Sequence, residues 1–301
     1  MRAVPDPRDV DQIRSALVGT RFSDVRWIAQ TGSTNADVLE LARQGEPEGI
    51  VVVADHQTAG RGRRGRTWEA PAGASLMLTV LLRPPAEVAG LVTMAVALSA
   101  ADAVEELTGI APRLKWPNDL IWPGGGRAPD RKLAGILAEA DWPAGSNISG
   151  GWSATARGQR VVVAVGIGLN VDWGGSMPPE LAATAVALDE LTAPEPAPTR
   201  AELLVGFLHR LDRAYVDLVD GDGGATALRA AWEARSATIG QQVRVDLGTD
   251  DVIGTAIGVT EEGHLVVETL EGERRVLAVG DVVHLRPVAP APRHRRTSDP
   301  A

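Results

Sequence analysis

The sequence contains no cysteine, so it can form neither a disulfide nor a thiolate metal site. Its five histidines are scattered, and no His-Glu-x-x-His pattern or close histidine pair occurs, which argues against a transition-metal site. No apolar run approaches the roughly 20 residues that a membrane-spanning helix needs. The amino-terminal segment lacks the apolar core of a signal peptide, and we therefore expect a cytoplasmic protein that does not bind a membrane.

Positive charge is also in short supply, because 30 lysines and arginines stand against 39 acidic residues, a net charge of -9. An acidic balance argues against general binding of nucleic acid. With 301 residues, 44% of them hydrophobic, the chain suits one large domain, or one domain plus a small module.

One cluster of positive charge lies in residues 60–68, a segment that we call the arginine loop. Four arginines fall within seven residues there, directly after an apolar strand that begins at Val51. Like charges repel unless an anion lies among them, and guanidinium groups bind phosphate or carboxylate in a bidentate manner. The anion could be a nucleotide phosphate, a nucleic-acid backbone or an acidic partner; the alternative is a mobile basic surface loop. The Gly-x-Gly-x-x-Gly spacing here is not a dinucleotide fingerprint, since no helix follows it.

Two other segments combine polar residues with turn signals. Residues 31–35, TGSTN, precede a predicted helix, so Ser33 or Thr34 could cap that helix or could bind a small polar or anionic ligand. Residues 113–122 read as a strand interrupted by Trp-Pro-Asn-Asp, which indicates a sheet edge or a bulge. Asn118 and Asp119 are either turn formers or groups that face a ligand or a magnesium ion.

A lysine and two glycines in apolar strands can also be interpreted either as structural residues or as parts of a site. Lys132 opens the strand 132–139 and, taken alone, is typical of a surface lysine. Gly166 and Gly168 interrupt the buried strand 161–171. Glycine weakens a strand, so these two indicate that another group approaches the backbone closely.

The periodicity predicts further helices and strands along the chain. Helices are predicted over residues 8–18, 86–107, 199–219 and 224–235, the third opening with a Thr199–Glu202 capping box, and a strand over 74–83. From about residue 239, five short apolar strands separated by turns predict a small barrel. The proline-rich tail from residue 288 is predicted to be disordered.

Four motifs in fixed order, TGSTN, HQTAGRGRRGRTW, KWPNDL with KLAGIL, and GIGLNV, resemble the biotin protein ligase (biotin–[acetyl-CoA-carboxylase] ligase) family over about residues 25–286. The resemblance implies an α+β fold, with a mixed sheet and helices of the class II synthetase-like type plus a carboxy-terminal SH3-like β-barrel. It implies a catalytic domain at 1–237, the SH3-like domain at 238–287 and the tail at 288–301. Too few residues precede the first motif for a DNA-binding winged helix, so the chain resembles the short type. One departure is Thr58, where the family often has a second glutamine, and it leaves any role of that position in doubt.

The resemblance also assigns roles to individual residues. It implies that biotin is bound by Ser33, Thr34, Asn35, Gln57, Gly60, Arg61, Gly62, Arg63, Lys132, Gly135, Gly166 and Gly168. It implies that the nucleotide is bound by Arg63, Trp68, Asn118, Asp119, Lys132 and Asn170, with Trp68 stacked on the adenine. The implied catalytic residues are Arg61, Arg63, Asp119 and Lys132, and Asp119 is the implied Mg²⁺ ligand.

The implied substrates and cofactors are biotin, ATP and Mg²⁺, and the implied partner is the biotin carboxyl carrier domain of an acyl-CoA or pyruvate carboxylase. A weak homodimer is a further expectation, and DNA is not an expected partner. Two alternatives stay open: a lipoate–protein ligase, with similar fold and chemistry, and a nucleic-acid-binding module that uses the arginine loop. The acidic balance and the lack of aromatic platforms in the barrel argue against the second.

Overall fold

The computed structural model describes residues 7–124, 128–141, 158–248 and 250–284. The helices are α1 Pro7–Ala16, α2 Thr34–Arg43, α3 Val92–Thr108, α4 Pro179–Ala182, α5 Leu188–Thr192, α6 Arg200–Asp220 and α7 Gly224–Arg235. The strands are β1 Val25–Thr31, β2 Val51–Gln57, β3 Ser75–Leu82, β4 Arg113–Lys115, β5 Asp119–Trp122, β6 Arg131–Asp141, β7 Val162–Asn170, β8 Gln242–Asp246, β9 Asp251–Val259, β10 Leu265–Thr269, β11 Arg274–Leu277 and β12 Asp281–His284.

Seven strands form the main sheet in the order β1-β2-β3-β7-β6-β5-β4. Strands β1 and β2 pair in parallel, and the remaining neighbours are antiparallel, which confirms the predicted mixed sheet. Strand β3 is buried at all eight positions because helices cover one face and the polar start of α2 covers part of the other. Its sequence, SLMLTVLL, is therefore an apolar run rather than an alternation.

The predicted helices are confirmed, with one shifted boundary. The helix predicted from residue 86 begins at Val92, because Ala86 instead donates a backbone hydrogen bond to Gln159 and a short 3-10 turn, Ala89–Leu91, follows. Helix α3 ends at Gly109, which adopts the left-handed conformation at a φ of 72° that glycine tolerates best. The capping box of α6 is present with both reciprocal hydrogen bonds.

The KWPNDL segment forms a hairpin at the edge of the main sheet. Strand β4 is the outermost strand and pairs with β5, and residues 116–118 form the turn between them. The predicted edge position is confirmed, since proline cannot donate to a sheet ladder and falls in the turn. This hairpin places Asn118 and Asp119 beside β6.

The carboxy-terminal strands form a second, antiparallel sheet in the order β11-β10-β9-β8-β12, as the SH3-like prediction requires. Its inward-facing residues, including Val243 and Val245, belong to the same hydrophobic core as the main sheet. Direct hydrogen bonds join the two sheets: Trp116 Nε1 donates to the Gly263 carbonyl at 3.1 Å, and His284 Nδ1 lies 3.1 Å from Asp130 Oδ2. The exact boundary at residue 237 stays a prediction.

Part of the sequence-based interpretation lies outside the described residues. This applies to the predicted disorder of the tail from residue 288. Among the helices of the described ranges, none combines the length and apolar character that crossing a membrane requires. Between Pro7 and Val25 the structure contains one helix, α1.

Candidate active site

A cavity on the main sheet collects most of the predicted site residues. Strands β6 and β7 form its floor, the start of α2 closes one end, and the arginine loop covers it. The lining residues are Ser33, Thr34, Asn35, Gln57, Arg61, Gly62, Arg63, Arg66, Thr67, Trp68, Leu78, Asn118, Lys132, Gly135, Ile136, Leu137, Gly166, Ile167 and Gly168. Both apolar and polar groups line it, as is common for sites that bind small molecules.

We call the end of the cavity at Ser33, Thr34, Asn35 and Gln57 the polar end. Ser33 stands at the N-cap position of α2, but its side chain makes no capping hydrogen bond. The free N–H group of Thr34 instead donates to Gln57 Oε1 at 2.8 Å, and the Thr34 hydroxyl lies 3.2 Å from the same oxygen. The sequence left the cap and the ligand site as alternatives for Ser33 and Thr34, and the structure removes the cap. A glutamine from β2 satisfies the helix start, so the hydroxyl of Ser33 is available to a ligand.

A buried threonine that sequence reasoning missed supports the polar end from below. Thr79 Oγ1, in the middle of β3, lies 2.7 Å from both Thr34 Oγ1 and Asn35 Oδ1. The Asn35 amide donates to the Leu137 carbonyl at 3.1 Å and to Glu139 Oε2 at 2.8 Å. The only sequence signal for Thr79 is a single hydroxyl within an otherwise apolar run.

Gly166 is explained by this network. A Cβ atom at position 166 would lie 2.2 Å from Asn35 Oδ1 and 3.2 Å from Thr79 Oγ1. The predicted close approach to the backbone of β7 is thus confirmed. At this position the approaching group is the Asn35 side chain.

A second pair of glycines forms a flat floor. Gly135 of β6 and Gly168 of β7 are direct partners in the sheet. The indole of Trp68 lies on them, and a Cβ atom at position 168 would come within 2.5 Å of the ring. The indole Nε1 is buried without a hydrogen-bond partner. Such an orphaned donor is costly, which fits a ring that lies where a ligand would otherwise be.

Lys132 lies over this floor and not on the open surface. Its Nζ is 2.7 Å from Asp119 Oδ1 and 5.5 Å from the centre of the Trp68 ring. The alternative interpretation, that Lys132 is a surface lysine, is therefore wrong. Asn118 lines the cavity too, but its amide nitrogen donates to the Ile136 carbonyl at 2.6 Å, so it also holds the turn.

Every arginine of the arginine loop contacts a carboxylate. Arg61 Nη1 lies 3.1 Å from Glu139 Oε1, and Arg66 Nη2 lies 3.0 Å from Asp281 Oδ1. Arg64 faces the second sheet, with Nη1 3.5 Å from Asp246 Oδ1, and does not line the cavity. These carboxylates come from distant parts of the chain, so the protein itself supplies negative charge to the clustered arginines.

Arg63 is the most buried of the four arginines. Its Nη1 donates to the Gly280 carbonyl at 3.2 Å and lies 3.9 Å from Asp281 Oδ1. Burial lowers the pKa of its guanidinium, and the negative charges of Asp281 and Asp119 oppose that shift. Because desolvation disfavours its charged form, this arginine gains when an additional anion enters the cavity.

Three predicted site residues do not line the cavity. Asn170 is buried; it accepts from the Ser75 hydroxyl at 3.1 Å and donates to the Val186 carbonyl at 3.1 Å, so its polar atoms are already paired. Gly60 closes the base of the loop by accepting from the Trp68 N–H at 3.0 Å. Asp119 lies beside the cavity and forms an ion pair with Lys132, which does line it.

The donor set restricts what metal the site can hold. Within the described residues, no group of three or more His, Cys, Asp or Glu side chains converges on one point. Magnesium is commonly bound through one or two carboxylates together with substrate phosphates. The carboxylate of Asp119, next to the cavity, fits that pattern and does not fit a site built of protein ligands alone.

Comparisons with known proteins agree with this geometry. Residues 27–144 match the model of the Biotin/lipoate A/B protein ligase family, and residues 238–285 match that of the Biotin protein ligase C terminal domain. These matches define the class of protein, since both parts of the chain are similar to biotin/lipoate protein ligases.

Individual relatives narrow this class. The biotin--[acetyl-CoA-carboxylase] ligase of Mycobacterium tuberculosis is 38% identical over 284 residues, covering 92% of this chain and 94% of that protein. The bifunctional ligase/repressor BirA of Bacillus subtilis is 32% identical, covering 81% and 69%. The biotin protein ligase of Aquifex aeolicus, solved in complex with biotin and ATP, superposes with a TM-score of 0.67 at 27% identity, covering 88% and 100%. The chain belongs to the biotin protein ligase family.

Proposed function

We propose that this protein is an ATP-dependent ligase that activates biotin and transfers it to a carrier-protein lysine. A biotin carboxylate oxygen attacks the α-phosphorus of ATP, which forms biotinyl-5′-adenylate and releases pyrophosphate. The ε-amine of the acceptor lysine then attacks the acyl carbon, forms the amide and releases AMP. The observation that carries the proposal is a single cavity with a hydrogen-bonding polar end, a glycine floor and a cationic end.

The two ends of the cavity suit the two ends of the substrate. The bicyclic head of biotin carries hydrogen-bonding groups that match the hydroxyl, amide and N–H groups of Ser33, Asn35 and Gln57. Arg61, Arg63 and Lys132 supply positive charge where the carboxylate and the α-phosphate meet. Charge that develops in the transition state is stabilised most when its partners are already oriented, and the ion pairs of these side chains orient them.

Trp68 must leave the glycine floor when the substrates bind. Its indole covers Gly135 and Gly168 in the structure. With biotinyl-adenylate bound, we infer that the ring stacks on the adenine and that the arginine loop closes over the mixed anhydride. Closure would exclude water, which hydrolyses this intermediate.

The small molecules that the proposed reaction uses are ATP, biotin and Mg²⁺. A magnesium ion, when bound with ATP, neutralises phosphate charge, and Asp119 is the carboxylate positioned to help hold it. Lys132, held beside Asp119 by its ion pair, would face the α-phosphate. Asn118 would hold the turn that fixes Asp119.

The acceptor is inferred from the relatives, two of which are named as ligases of acetyl-CoA carboxylase. We infer that this chain biotinylates a carrier domain of that kind, with a pyruvate carboxylase carrier as a second acceptor, and that it acts in the cytoplasm, where ATP and such carriers occur together. A weak homodimer stays a prediction, which sedimentation velocity would test.

Biotin-dependent exchange of pyrophosphate into ATP is the decisive assay. Exchange that requires biotin and is not inhibited by excess lipoate is expected. Exchange supported by lipoate instead would identify a lipoate ligase. Absence of exchange with either acid would refute the adenylation chemistry, and salt-sensitive retention of single-stranded DNA would then favour the nucleic-acid-binding alternative.

A further inference from the structure

We propose that Asp281, in the second sheet, is a positioning residue for adenylation, because its carboxylate holds the arginine loop over the cavity. This inference rests on the proposed function. Asp281 is the first residue of β12, more than 200 positions from the loop along the chain. Its two oxygens lie 3.0 Å from Arg66 Nη2 and 3.6 Å from Arg64 Nη1, and Arg63 Nη1 is 3.9 Å away.

Within the second sheet alone, the carboxylate of Asp281 is in an electrostatically unfavourable position. Asp281 of β12 is directly opposite Asp246 of β8, and Asp246 is directly opposite Asp251 of β9. Three aspartates therefore form a row across adjacent strands. Like charges placed directly opposite each other destabilise a sheet.

The row is balanced by cations from two sources. Arg244, within the same sheet, lies 3.1 Å from Asp251. The other two aspartates are balanced by the arginine loop, since Arg64 contacts both Asp246 and Asp281. The arginines would repel each other without these carboxylates, and the carboxylates would repel each other without the arginines.

The exposure of Asp281 and the position of Arg63 are both relevant to the reaction. The Asp281 side chain is about one-third exposed, so its ion pairs can rearrange when phosphate enters. Arg63 lines the cavity, and its Nη1 lies 3.9 Å from Asp281 Oδ1, so one loop arginine faces both the cavity and the second sheet. Asp281 thus contacts the loop from the second sheet, while Arg61, Arg63 and Arg66 of the same loop line the cavity.

It follows that removing this charge should loosen the loop before ATP binds. The arginines would then have to be ordered by ATP itself, and ordering flexible residues costs entropy. The effect should fall on the nucleotide and not on biotin, because the polar end is held by a separate set of hydrogen bonds.

The test compares Asp281→Asn with Asp251→Asn, a matched change in the same row that touches no residue of the arginine loop. Biotin-dependent pyrophosphate exchange gives KM for ATP and for biotin. We expect Asp281→Asn to raise KM for ATP about fivefold, since one partner of several charge pairs is lost, and to leave KM for biotin within about twofold. Asp281→Glu, which keeps the charge, should restore most of the affinity for ATP. Asp251→Asn should behave as the wild type.

Several outcomes would overturn the inference. An unchanged KM for ATP in Asp281→Asn would do so, and so would a lower one, which would mean that the carboxylate competes with phosphate. Hydrogen exchange of the arginine loop provides a second measurement that does not depend on activity, and faster exchange is expected in Asp281→Asn alone. A wild-type protein without biotin-dependent exchange would refute the proposed function instead, whatever the loop does.

Discussion

The polar end and the arginine loop are two parts of one cavity that are held by different interactions. At the polar end, Ser33, Thr34 and Asn35 are buried, and neutral hydrogen bonds with Gln57 and Thr79 fix the start of α2. In the arginine loop, the side chains of Arg61 and Arg66 are about half exposed and their partners are carboxylates.

This difference matches the tasks of the two parts. A buried hydrogen-bond network has one low-energy arrangement, which suits recognition of a fixed head group. Exposed ion pairs are individually weak, about 0.2–1 kcal/mol, so they can be exchanged for contacts with phosphate. Glu139 links the two parts, because it accepts from Asn35 and pairs with Arg61.

Lys132→Ala should give the largest effect and would separate charge stabilisation from binding. We expect adenylate formation to slow about 10²- to 10³-fold, since the cation facing the developing charge is lost. Biotin affinity should change little, because Lys132 contacts Asp119 and Trp68 and not the polar end. Isothermal titration with biotin and single-turnover adenylation measure the two quantities.

Lys115, the only other lysine of the chain, is the matched control, since it lies on edge strand β4 and does not line the cavity. Lys115→Ala should adenylate at the normal rate. Normal adenylation by Lys132→Ala would show that Lys132 does not take part in the reaction.

Gly166→Ala tests whether the polar end is as rigid as its hydrogen bonds indicate. The new Cβ would lie 2.2 Å from Asn35 Oδ1, so Asn35 must move. A displacement of this size should lower biotin affinity about 10²-fold, because the head group no longer meets its partners. Calorimetric titration measures the affinity, and thermal unfolding monitors the fold.

Two further variants identify the cause. Gly206→Ala, in α6, places its Cβ in ordinary contact at 3.5 Å and should leave binding unchanged. We expect Gly166→Ala to lower the melting temperature. The double variant Gly166→Ala with Asn35→Ala should melt at the wild-type temperature but should still bind biotin weakly. An unaltered affinity in Gly166→Ala alone would show that the polar end can adapt.

Arg63→Gly tests the role of the arginine loop. Arg63 is the buried loop arginine at the cavity, so its loss should release biotinyl-adenylate about tenfold faster while biotin binding changes less. Released adenylate acylates lysines on unrelated proteins, so biotinylation of a bystander protein reports the leak. Arg64→Gly should leak less adenylate than Arg63→Gly, because Arg64 contacts Asp246 and Asp281 of the second sheet and does not line the cavity. If Arg63→Gly loses biotin affinity without a leak, the arginine has a structural role.

Thr79→Val should give the smallest effect and tests the support below the polar end. The substitution keeps the shape and removes the hydroxyl that contacts Thr34 and Asn35. An unpaired buried acceptor costs about 1–3 kcal/mol, and because the loss is shared between folding and binding, we expect about a fivefold decrease in biotin affinity. Thr79→Ser keeps the hydroxyl and should bind as the wild type does. Equal affinities for the valine and serine variants would contradict the role of the hydroxyl.

Local patterns in the sequence determined the helices, the strands and most of the lining of the cavity. The Thr199–Glu202 capping box, the glycine end of α3 and the short strands of the second sheet depend on neighbouring residues, so they can be recognised in the chain itself. The motifs found the glycine floor and three of the cavity's four cations, because glycine within a strand and clustered arginines are locally costly and need an explanation.

Tertiary structure decided which groups those residues meet. Thr79 looks like part of an apolar strand until β3 is placed beneath α2, and Gln57 becomes the partner of a helix start only through the pairing of β1 with β2. Asn170 has the right type and position in the sequence, but the fold pairs its polar atoms elsewhere. Asp281 carries no local signal at all: its contacts with the arginine loop join residues more than 200 positions apart, and such contacts arise from the packing of two sheets and not from any pattern in one segment.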